Sequence, residues 1–331
     1  MKEYIFKRIV HTFITLYIIV SLTFIFLQVL SPVDPLTMYL GRGAPMANPR
    51  IREEIIVRFG LNESIAQRYV KYIINTFTGN FGYSIKTQTP VIYELSRRIG
   101  PTLLLGGLSL IITALLGIGV GVLAATKRGS KLDLLVISSA LITWGLPSFF
   151  VQLLFLIVFA VILQWFPAIG MLDTPPPPFL SFDYIIQVLY HMTLPLITIV
   201  LLGFGFFALY TRNMMLDTLT QDFIVTARAK GLKERVVVRR YALRATLPPI
   251  LSMFVLSIPT IWWLETMSEI IFAWPGIGRW FLESVLFNDY PVVQAIIFLY
   301  SILILGGNFI TDIIYTWIDP RIRLGTVRHG G

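Results

Sequence analysis

The sequence predicts an all-α polytopic membrane protein, and three observations lead to this fold class. Hydrophobic residues make up 56% of the 331-residue chain, charged residues only 14%, and the mean hydropathy is +0.75. A soluble domain of this size would carry roughly a quarter charged residues. Six apolar windows are long enough to span a bilayer, since a helix of about 20 residues crosses the hydrocarbon core. They lie near residues 9–30, 101–125, 134–163, 190–211, 249–268 and 292–317.

The first apolar window predicts a retained transmembrane helix and not a signal peptide. From Ile9 to Leu30 it runs for 22 residues, whereas the apolar core of a signal peptide has about 7–15. No small-x-small cleavage site follows it. We therefore expect residues 1–30 to form an N-terminal tail and transmembrane helix 1.

Residues 31–100 separate the first two windows and predict a helical extracytoplasmic segment. A connection of this length normally has a fold of its own. Apolar spacing over 51–59 indicates one helix that ends at Gly60, and Asn62 is positioned to cap a second helix through residues 65–73. We expect a small extracytoplasmic cap, with an ordinary exposed loop as the alternative.

The predicted transmembrane core, residues 101–318, contains a kink. The window 134–163 is longer than a span requires and includes Gly145-Leu146-Pro147, where the helix should bend. Trp144 and Pro147 are therefore candidates to line a pathway or gate. A purely structural kink is the alternative, because proline kinks are common in membrane helices.

One long polar segment, the predicted cytoplasmic coupling loop 213–248, lies between strongly apolar windows and indicates a helix–glycine–helix elbow. Gly231 can take the positive φ that ends a helix. A second helical run follows and is expected to end at Pro248-Pro249. The alternative is a simple basic connection, since most basic loops beside a membrane are only that. The apolar positions at helical spacing in the first helix are Leu219, Phe223 and Ala227.

Acidic residues near the ends of the last two windows are further pathway or gate candidates. Glu265 and Glu269 lie one helical turn apart on the same face. A turn with Trp274, a third candidate, and a short interfacial helix over 277–285 follow them, and Asp312 lies late in the last window. Carboxylates near the end of a span can also simply face water.

Nucleotide, metal and disulfide chemistry find no support in the sequence. There are no cysteines, the three histidines are far apart, and no G-x-x-x-x-G-K-[ST] phosphate loop occurs. Gly117, Gly119 and Gly121 lie in an apolar window with no strand before them, so close helix packing is expected instead of dinucleotide binding. We expect neither a catalytic site nor a cofactor in this chain, and if ATP is used, another chain binds it.

Lysine and arginine residues predict that both termini are cytoplasmic. In that orientation the inner loops hold basic clusters at 127–131 and 228–244, whereas the two short outer loops hold only Arg279. The segment 31–100 is too long for its charge to set the orientation. The tail 319–331 is then cytoplasmic, and the net charge of +9 requires no nucleic-acid partner.

The elbow carries a recognisable run, Thr226-Ala227-Arg228-Ala229-Lys230-Gly231-Leu232, preceded by Asp222-Phe223. It resembles the coupling loop of permeases in the peptide-importing (dipeptide, oligopeptide and nickel) branch of ABC transporters. Residues 225–227 stand where the wider superfamily has Glu-Ala-Ala, and Arg244 stands where it has proline. The peptide branch usually departs from the superfamily pattern in the same way.

Further motifs resemble this family in their order and spacing, from the outer segment to the tail. They are Gly82-Tyr83-Ser84, Glu269-Ile270-Ile271-Phe272-Ala273-Trp274-Pro275-Gly276, Asp289-Tyr290-Pro291 and Asp319-Pro320-Arg321-Ile322-Arg323.

The resemblance implies a type I ABC importer permease fold in a prokaryotic plasma membrane. The subunit would form half of a translocation pathway for di- or oligopeptides and switch between inward- and outward-facing states. The implied partners are a second homologous permease, two ATPase subunits that bind ATP and Mg²⁺, and an extracytoplasmic binding protein that docks on the outer segment. The residues implied in coupling to the ATPases are Asp222, Thr226, Ala227, Arg228, Ala229, Lys230 and Gly231.

Two other function classes remain open from the sequence. A stand-alone ion-coupled carrier would use Glu265, Glu269 or Asp312, but such carriers typically show paired repeats and midplane acids. An intramembrane enzyme would need a Ser/His pair, a metal-ligand set or a nucleotide site. Within the resembling family, nickel chelates and oligosaccharides are alternative substrates.

Overall fold

The computed structural model describes residues 2–30, 49–50, 53, 56, 62–258 and 261–318, with only the backbone described at 2–5, 261–265 and 311–318. Within these ranges the chain is helical apart from turns, loops and one isolated β-bridge between Tyr83 and Pro90. The all-α prediction is confirmed for this part of the chain. The side chains of Glu265 and Asp312, most of the helix predicted at 51–59 and the tail 319–331 lie outside the described residues.

The chain divides into two compact units, one of Met1–Gly100 with Gly276–Phe309 and one of Pro101–Pro275 with Ile310–Gly331. Three π-helical stretches, Ile25–Val29, Leu156–Ile162 and Val237–Ala242, extend or join the α-helices of the described chain. The α-helices are α1 (Lys2–Phe24), α2 (Ile65–Phe77), α3 (Val91–Thr126), α4 (Lys131–Gly145), α5 (Ser148–Phe155), α6 (Phe182–Leu219), α7 (Asp222–Ala229), α8 (Glu234–Val236), α9 (Leu243–Ser257), α10 (Ile261–Ile271), α11 (Ile277–Leu286) and α12 (Tyr290–Ile318).

Four helices among the described residues are long and apolar enough to cross a membrane: α1 with its π-helical extension, α3, α6 and α12. The bent pair of α4 and Ser148–Ile162, which is α5 with its π-helical continuation, passes the same test jointly, so the candidate spans number four, or five if this pair counts as one span. The remaining predicted window, 249–268, falls on α9 and α10, which have 15 and 11 residues. Residues 259–260 between them are not described, so the sixth span stays a prediction.

The predicted bend at Pro147 is confirmed and is sharp. The axes of α4 and of the helix Ser148–Ile162, which is α5 with its π-helical continuation, differ by 98°. Leu146 is extended, with ψ 133°, as expected for a residue that precedes proline, and Pro147 is the N-cap of α5. The window therefore consists of two helices with a corner between them.

Two local predictions were wrong. The cap of α2 is Ser64 and not Asn62: the Ser64 hydroxyl accepts from the backbone N–H of Gln67, whose side chain accepts from the Ser64 N–H, which forms a capping box. The second run of the elbow does not end at Pro248-Pro249, because both prolines lie inside α9. Packing overrides their helix-breaking tendency, since Thr246 and Ile250 on either side are fully buried.

Small residues hold α3 against α6, as expected for membrane helices. A Cβ at Gly117 would lie 2.5 Å from the Cβ of Phe207, and a Cβ at Gly121 would lie 2.5 Å from the carbonyl oxygen of Ala208. The predicted packing role is confirmed for these two glycines. Gly119 faces open space, with nothing within 4 Å of such a Cβ.

Candidate functional site

The elbow has the predicted helix–glycine–helix form. The long helix α6 ends at Leu219, the extended Gln221 is the N-cap of α7, and Lys230 is its C-cap. Gly231 follows with φ +73° and donates its N–H to the carbonyl of Arg228. The left-handed conformation there favours glycine, because a Cβ would crowd the following carbonyl oxygen.

The buried face of α7 does not follow the apolar spacing of Leu219, Phe223 and Ala227. Ile224 and Ala227 are buried, whereas Phe223 and Val225 are 42% and 57% exposed. Phe223 was predicted to share a face with Leu219 and Ala227 on one continuous helix. The break at Thr220 and Gln221 shifts the helical phase, so that Ile224 turns inward in its place.

The buried side chains of α7 anchor it to the ends of two long helices. They belong to one apolar cluster with Ala125 of α3, Met215 of α6 and Val237 of the π-helical stretch after α8. Because interiors are close-packed, a displacement of α7 must be transmitted to its neighbours in this cluster. The elbow is therefore mechanically continuous with α3 and α6.

An ion pair bridges the two arms of the elbow across Gly231. The guanidinium of Arg228 donates to both carboxylate oxygens of Glu234, over 2.7 Å from Nη2 and 3.2 Å from Nε. The hydrogen bond from Arg228 lowers the pKa of the Glu234 carboxyl, and the same bond raises the pKa of Arg228. Both side chains are largely exposed, so the pair orients the turn more than it stabilises the fold.

The residues implied in ATPase coupling form an exposed surface. Only one of the seven, Ala227, is buried and packs inward. The other six are exposed: Asp222, Thr226, Arg228, Ala229, Lys230 and Gly231. One face of α7 is packed in the apolar cluster and the other is exposed. A protein that binds the exposed face can therefore displace α7 and, through the cluster, α3 and α6.

A buried ion pair that sequence reasoning missed lies close to the elbow. Arg212 of α6 donates to both oxygens of Asp133 in the first turn of α4, over 2.5 Å and 2.8 Å. Asp133 is 3% exposed and also accepts from the backbone N–H of Gly129. The pair ties the start of α4 to α6. Asp133, three residues after the capping Ser130, was the sequence signal that could have directed attention to it.

The candidate gate residue Glu269 belongs to a buried polar cluster contributed by α3, α5 and α10. Glu269 is fully buried, and Thr102 donates its hydroxyl to Oε1 over 2.6 Å. Beside it, Gln152 donates from Nε2 to the Ser268 hydroxyl over 2.7 Å. The Oε1 atom of Gln152 is buried without a hydrogen-bond partner in the described chain. Burying such polar groups within the membrane costs free energy, and groups of this kind typically line substrate or ion pathways in membrane proteins.

The other gate candidates occupy different surroundings. Trp144 is 71% exposed and contacts the Phe206 ring edge-on at 6.5 Å. Trp274 is fully buried and donates its indole N–H to the carbonyl of Pro101 over 2.9 Å. Trp144 is thus open to partners or lipid, whereas Trp274 anchors the turn after α10. A pathway role for Trp144, Pro147, Glu269 or Trp274 stays a prediction.

Two of the quoted sequence motifs meet in the first unit. The carboxylate of Asp289, which is 1% exposed, accepts from the Ser84 hydroxyl and from the backbone N–H groups of Ile85 and Lys86. The Lys86 ammonium lies 3.5 Å from the carboxylate of Glu283 in α11. The turn after Gly82 is therefore fastened to the start of α12, a contact that the separate motifs did not predict.

Comparison with known proteins places this architecture in a family. Residues 117–324 match the family described as binding-protein-dependent transport system inner membrane component, and residues 1–106 match its N-terminal membrane component. In structure, the chain resembles the MetNI methionine ABC transporter in an inward-facing conformation, with a TM-score of 0.55 and 20% identity over 70% of this chain and 98% of the other. That likeness shows the fold.

Relatives in sequence align over nearly their whole length. The oligopeptide transport system permease protein AppB of Bacillus subtilis (strain 168) is 36% identical, over 97% of this chain and 99% of the relative. The di/tripeptide transport system permease protein DppB of Pseudomonas aeruginosa (strain UCBPP-PA14) is 33% identical, over 98% and 99%. The glutathione transport system permease protein GsiC of Escherichia coli (strain K12) is 32% identical, over 98% and 99%. With its anchored elbow and apolar helices, the chain belongs to the family of inner membrane components of binding-protein-dependent transport systems.

Proposed function

We propose that this chain is the permease subunit of an ATP-driven importer and forms half of a translocation pathway for di- or oligopeptides. The observation that carries the proposal is the elbow. Six of the seven coupling residues are exposed, on α7 and on the two residues that follow it, while Ile224 and Ala227 pack the same helix against α3 and α6. The relatives named for oligopeptide, di/tripeptide and glutathione transport support a peptide-like substrate.

The proposed mechanism is mechanical coupling. The exposed face of α7 sits in a cleft of an ATPase subunit that binds ATP and Mg²⁺, and closure of two such subunits moves α7. The apolar cluster then carries the displacement into α3 and α6, and the paired permeases change the side to which their shared cavity opens. ATP can drive this switch only if the ATPases contact α7 differently in the two states.

The finer assignments belong to the same proposal. The chain pairs with a second homologous permease and two ATPases, contributes no catalytic residue of its own, and receives substrate from an extracytoplasmic binding protein. It lies in a prokaryotic plasma membrane with six spans and both termini cytoplasmic. Its outer segment, residues 31–100, offers the docking surface. Basic clusters on the inner side support this orientation.

The proposed function is tested by the subunit composition of the complex and by the energy source that drives uptake. Mass spectrometry of whatever co-purifies with the chain from native membranes in mild detergent should show stoichiometric ATPase chains and a sister permease. Proteoliposomes of that complex with its binding protein should take up di- or oligopeptides only with ATP. Uptake by the chain alone, driven by an ion gradient, would instead establish a secondary carrier.

A peptide-specific role for Glu269 is a further part of the proposal. Its buried carboxylate is suited to attract the amino group of a peptide, because a carboxylate removed from water interacts strongly with a cation. The buried Gln152 amide in the same cluster offers an additional acceptor. If the substrate amino group binds there, acylated peptides should be poor substrates of the reconstituted complex, and free peptides good ones.

A further inference from the structure

The helix α2, within the segment predicted to be extracytoplasmic, packs antiparallel along α1. The Tyr69 hydroxyl lies 2.7 Å from the Ser21 hydroxyl and donates to Tyr17 over 2.8 Å. Eight residues further along α2, the ring of Phe77 contacts that of Phe13, with centroids 5.6 Å apart. From Tyr69 to Phe77 and from Ser21 to Phe13 the two helices advance by the same distance, about 12 Å at 1.5 Å per residue. The register is therefore continuous.

This register places α2 beside the apolar middle of a candidate membrane span. The apolar window of α1 and its extension is Phe6–Val29. Counted from Val29, Ser21 lies about 12 Å and Phe13 about 24 Å along the helix axis. The hydrocarbon core of a bilayer is about 30 Å thick. The C-terminal half of α2 thus lies beside the part of α1 that is long and apolar enough to cross the hydrocarbon core.

The exposed surface of α2 divides into two stripes. Val70 and Ile74, four residues apart on one row, are 55% and 57% exposed. Lys71 and Asn75 form the adjacent exposed row. Lys71 pairs with Glu63, which holds the charge near the start of the helix. One stripe therefore suits hydrocarbon and the other suits water, as in an amphipathic helix.

The apolar stripe continues a surface that α1 already presents. Within one helical turn of the levels of Val70 and Ile74, Ile14 and Ile18 of α1 are 50% and 49% exposed. Exposed isoleucines along a membrane span are suited to contact lipid, since lipid tails are as apolar as the side chains. Val70 and Ile74 extend this face sideways.

We infer that α2 lies in the bilayer beside α1, with Val70 and Ile74 in contact with lipid hydrocarbon and with Lys71 and Asn75 turned towards water. The backbone N–H and C=O groups of α2 form hydrogen bonds within the helix, so that α2 can lie in the hydrocarbon core. The segment 31–100 is then only partly extracytoplasmic, because it returns along α1 before it reaches the Gly82 turn.

Single-cysteine variants test the inference directly, because the chain has no cysteine. Spin labels would be placed on Val70→Cys and Ile74→Cys, with Asn75→Cys as the matched control on the same helix. Ile18→Cys serves as the lipid reference and Ser96→Cys, exposed near the start of α3, as the water reference. Collision rates with oxygen, which concentrates in lipid, and with a water-soluble nickel chelate are measured in proteoliposomes of the full complex.

We expect oxygen-to-nickel accessibility ratios several-fold higher at positions 70 and 74 than at 75, with the former close to the lipid reference. Ratios at 70 and 74 equal to that of Ser96→Cys would place the stripe in water and overturn the inference. Low accessibility to both reagents would mean that protein covers the stripe, which overturns it equally. Fluorophores on the same cysteines give a second readout, since nitroxide-labelled lipids should quench them at 70 and 74.

Discussion

Replacing Gly231 by alanine tests the role of the elbow in coupling, and the same replacement at Gly79 in this chain is the control. Gly231 has φ +73° and Gly79, at the end of α2, has φ +76°. Each donates its N–H to the carbonyl three residues earlier, and a Cβ at either position would meet nothing within 4 Å. The only cost of an alanine is therefore the left-handed backbone, which amounts to about 1–2 kcal/mol.

Both variants should lose a similar small amount of stability, and only one should lose coupling. A strain of this size shifts a local equilibrium by roughly 5- to 30-fold. In Gly231→Ala it acts on the turn that holds α7 against α8, so the ATPase activity stimulated by substrate and binding protein should fall by several-fold in proteoliposomes. Gly79 lies in the segment proposed to dock the binding protein, so the two variants are compared at a saturating concentration of that protein. Under this condition Gly79→Ala should keep the activity of the unchanged chain, with a similar change in Tm. Equal coupling in the two variants would refute the assignment of 222–231 as the coupling element.

The remaining predictions concern charged side chains, buried and exposed. Asp133→Ala should destabilise the chain by about 3–5 kcal/mol, because it leaves a largely buried arginine unpaired; Glu234→Ala, at the exposed pair, should cost about 0–1 kcal/mol. Denaturation of the detergent-solubilised complex measures both, and similar losses would contradict the burial argument. Asp289→Ala leaves three hydrogen-bond donors without their acceptor, and each donor that is buried loses about 1–3 kcal/mol of stabilisation. The backbone amides of the turn at 84–87 should therefore exchange hydrogen with solvent faster. Unchanged exchange would show that the carboxylate does not hold the turn. Glu269→Lys should abolish peptide import. Glu269→Gln, which keeps the size of the side chain without its charge, should still assemble into the complex. Normal peptide import by the lysine variant would rule out a substrate role for Glu269.

Local features of the molecule could be predicted because neighbouring residues cause them. The corner at Pro147 follows from a ring that disfavours helix in the preceding residue. The end of α7 follows from Gly231, whose missing side chain makes a positive φ inexpensive. The apolar windows that became α1, α3, α6 and α12 required only length and composition.

The errors arose where distant parts of the chain decide the outcome. Pro248 and Pro249 stay helical because α9 is packed on both sides of them, and propensity alone cannot show this. Phe223 faces outward because a two-residue break before α7 changes the helical phase, and only the anchoring cluster reveals which phase is buried.

The sequence by itself determined the class of this protein, a membrane permease with an elbow, because composition, apolar windows and ordered motifs are properties of the chain in one dimension. Only the tertiary structure decided which side chains share a site. Asp133 and Arg212, and Ser84 and Asp289, are 79 and 205 residues apart and yet hydrogen-bonded. The packing of helices sets such pairings, and the free energy of that packing is spread over many weak contacts that no local pattern records.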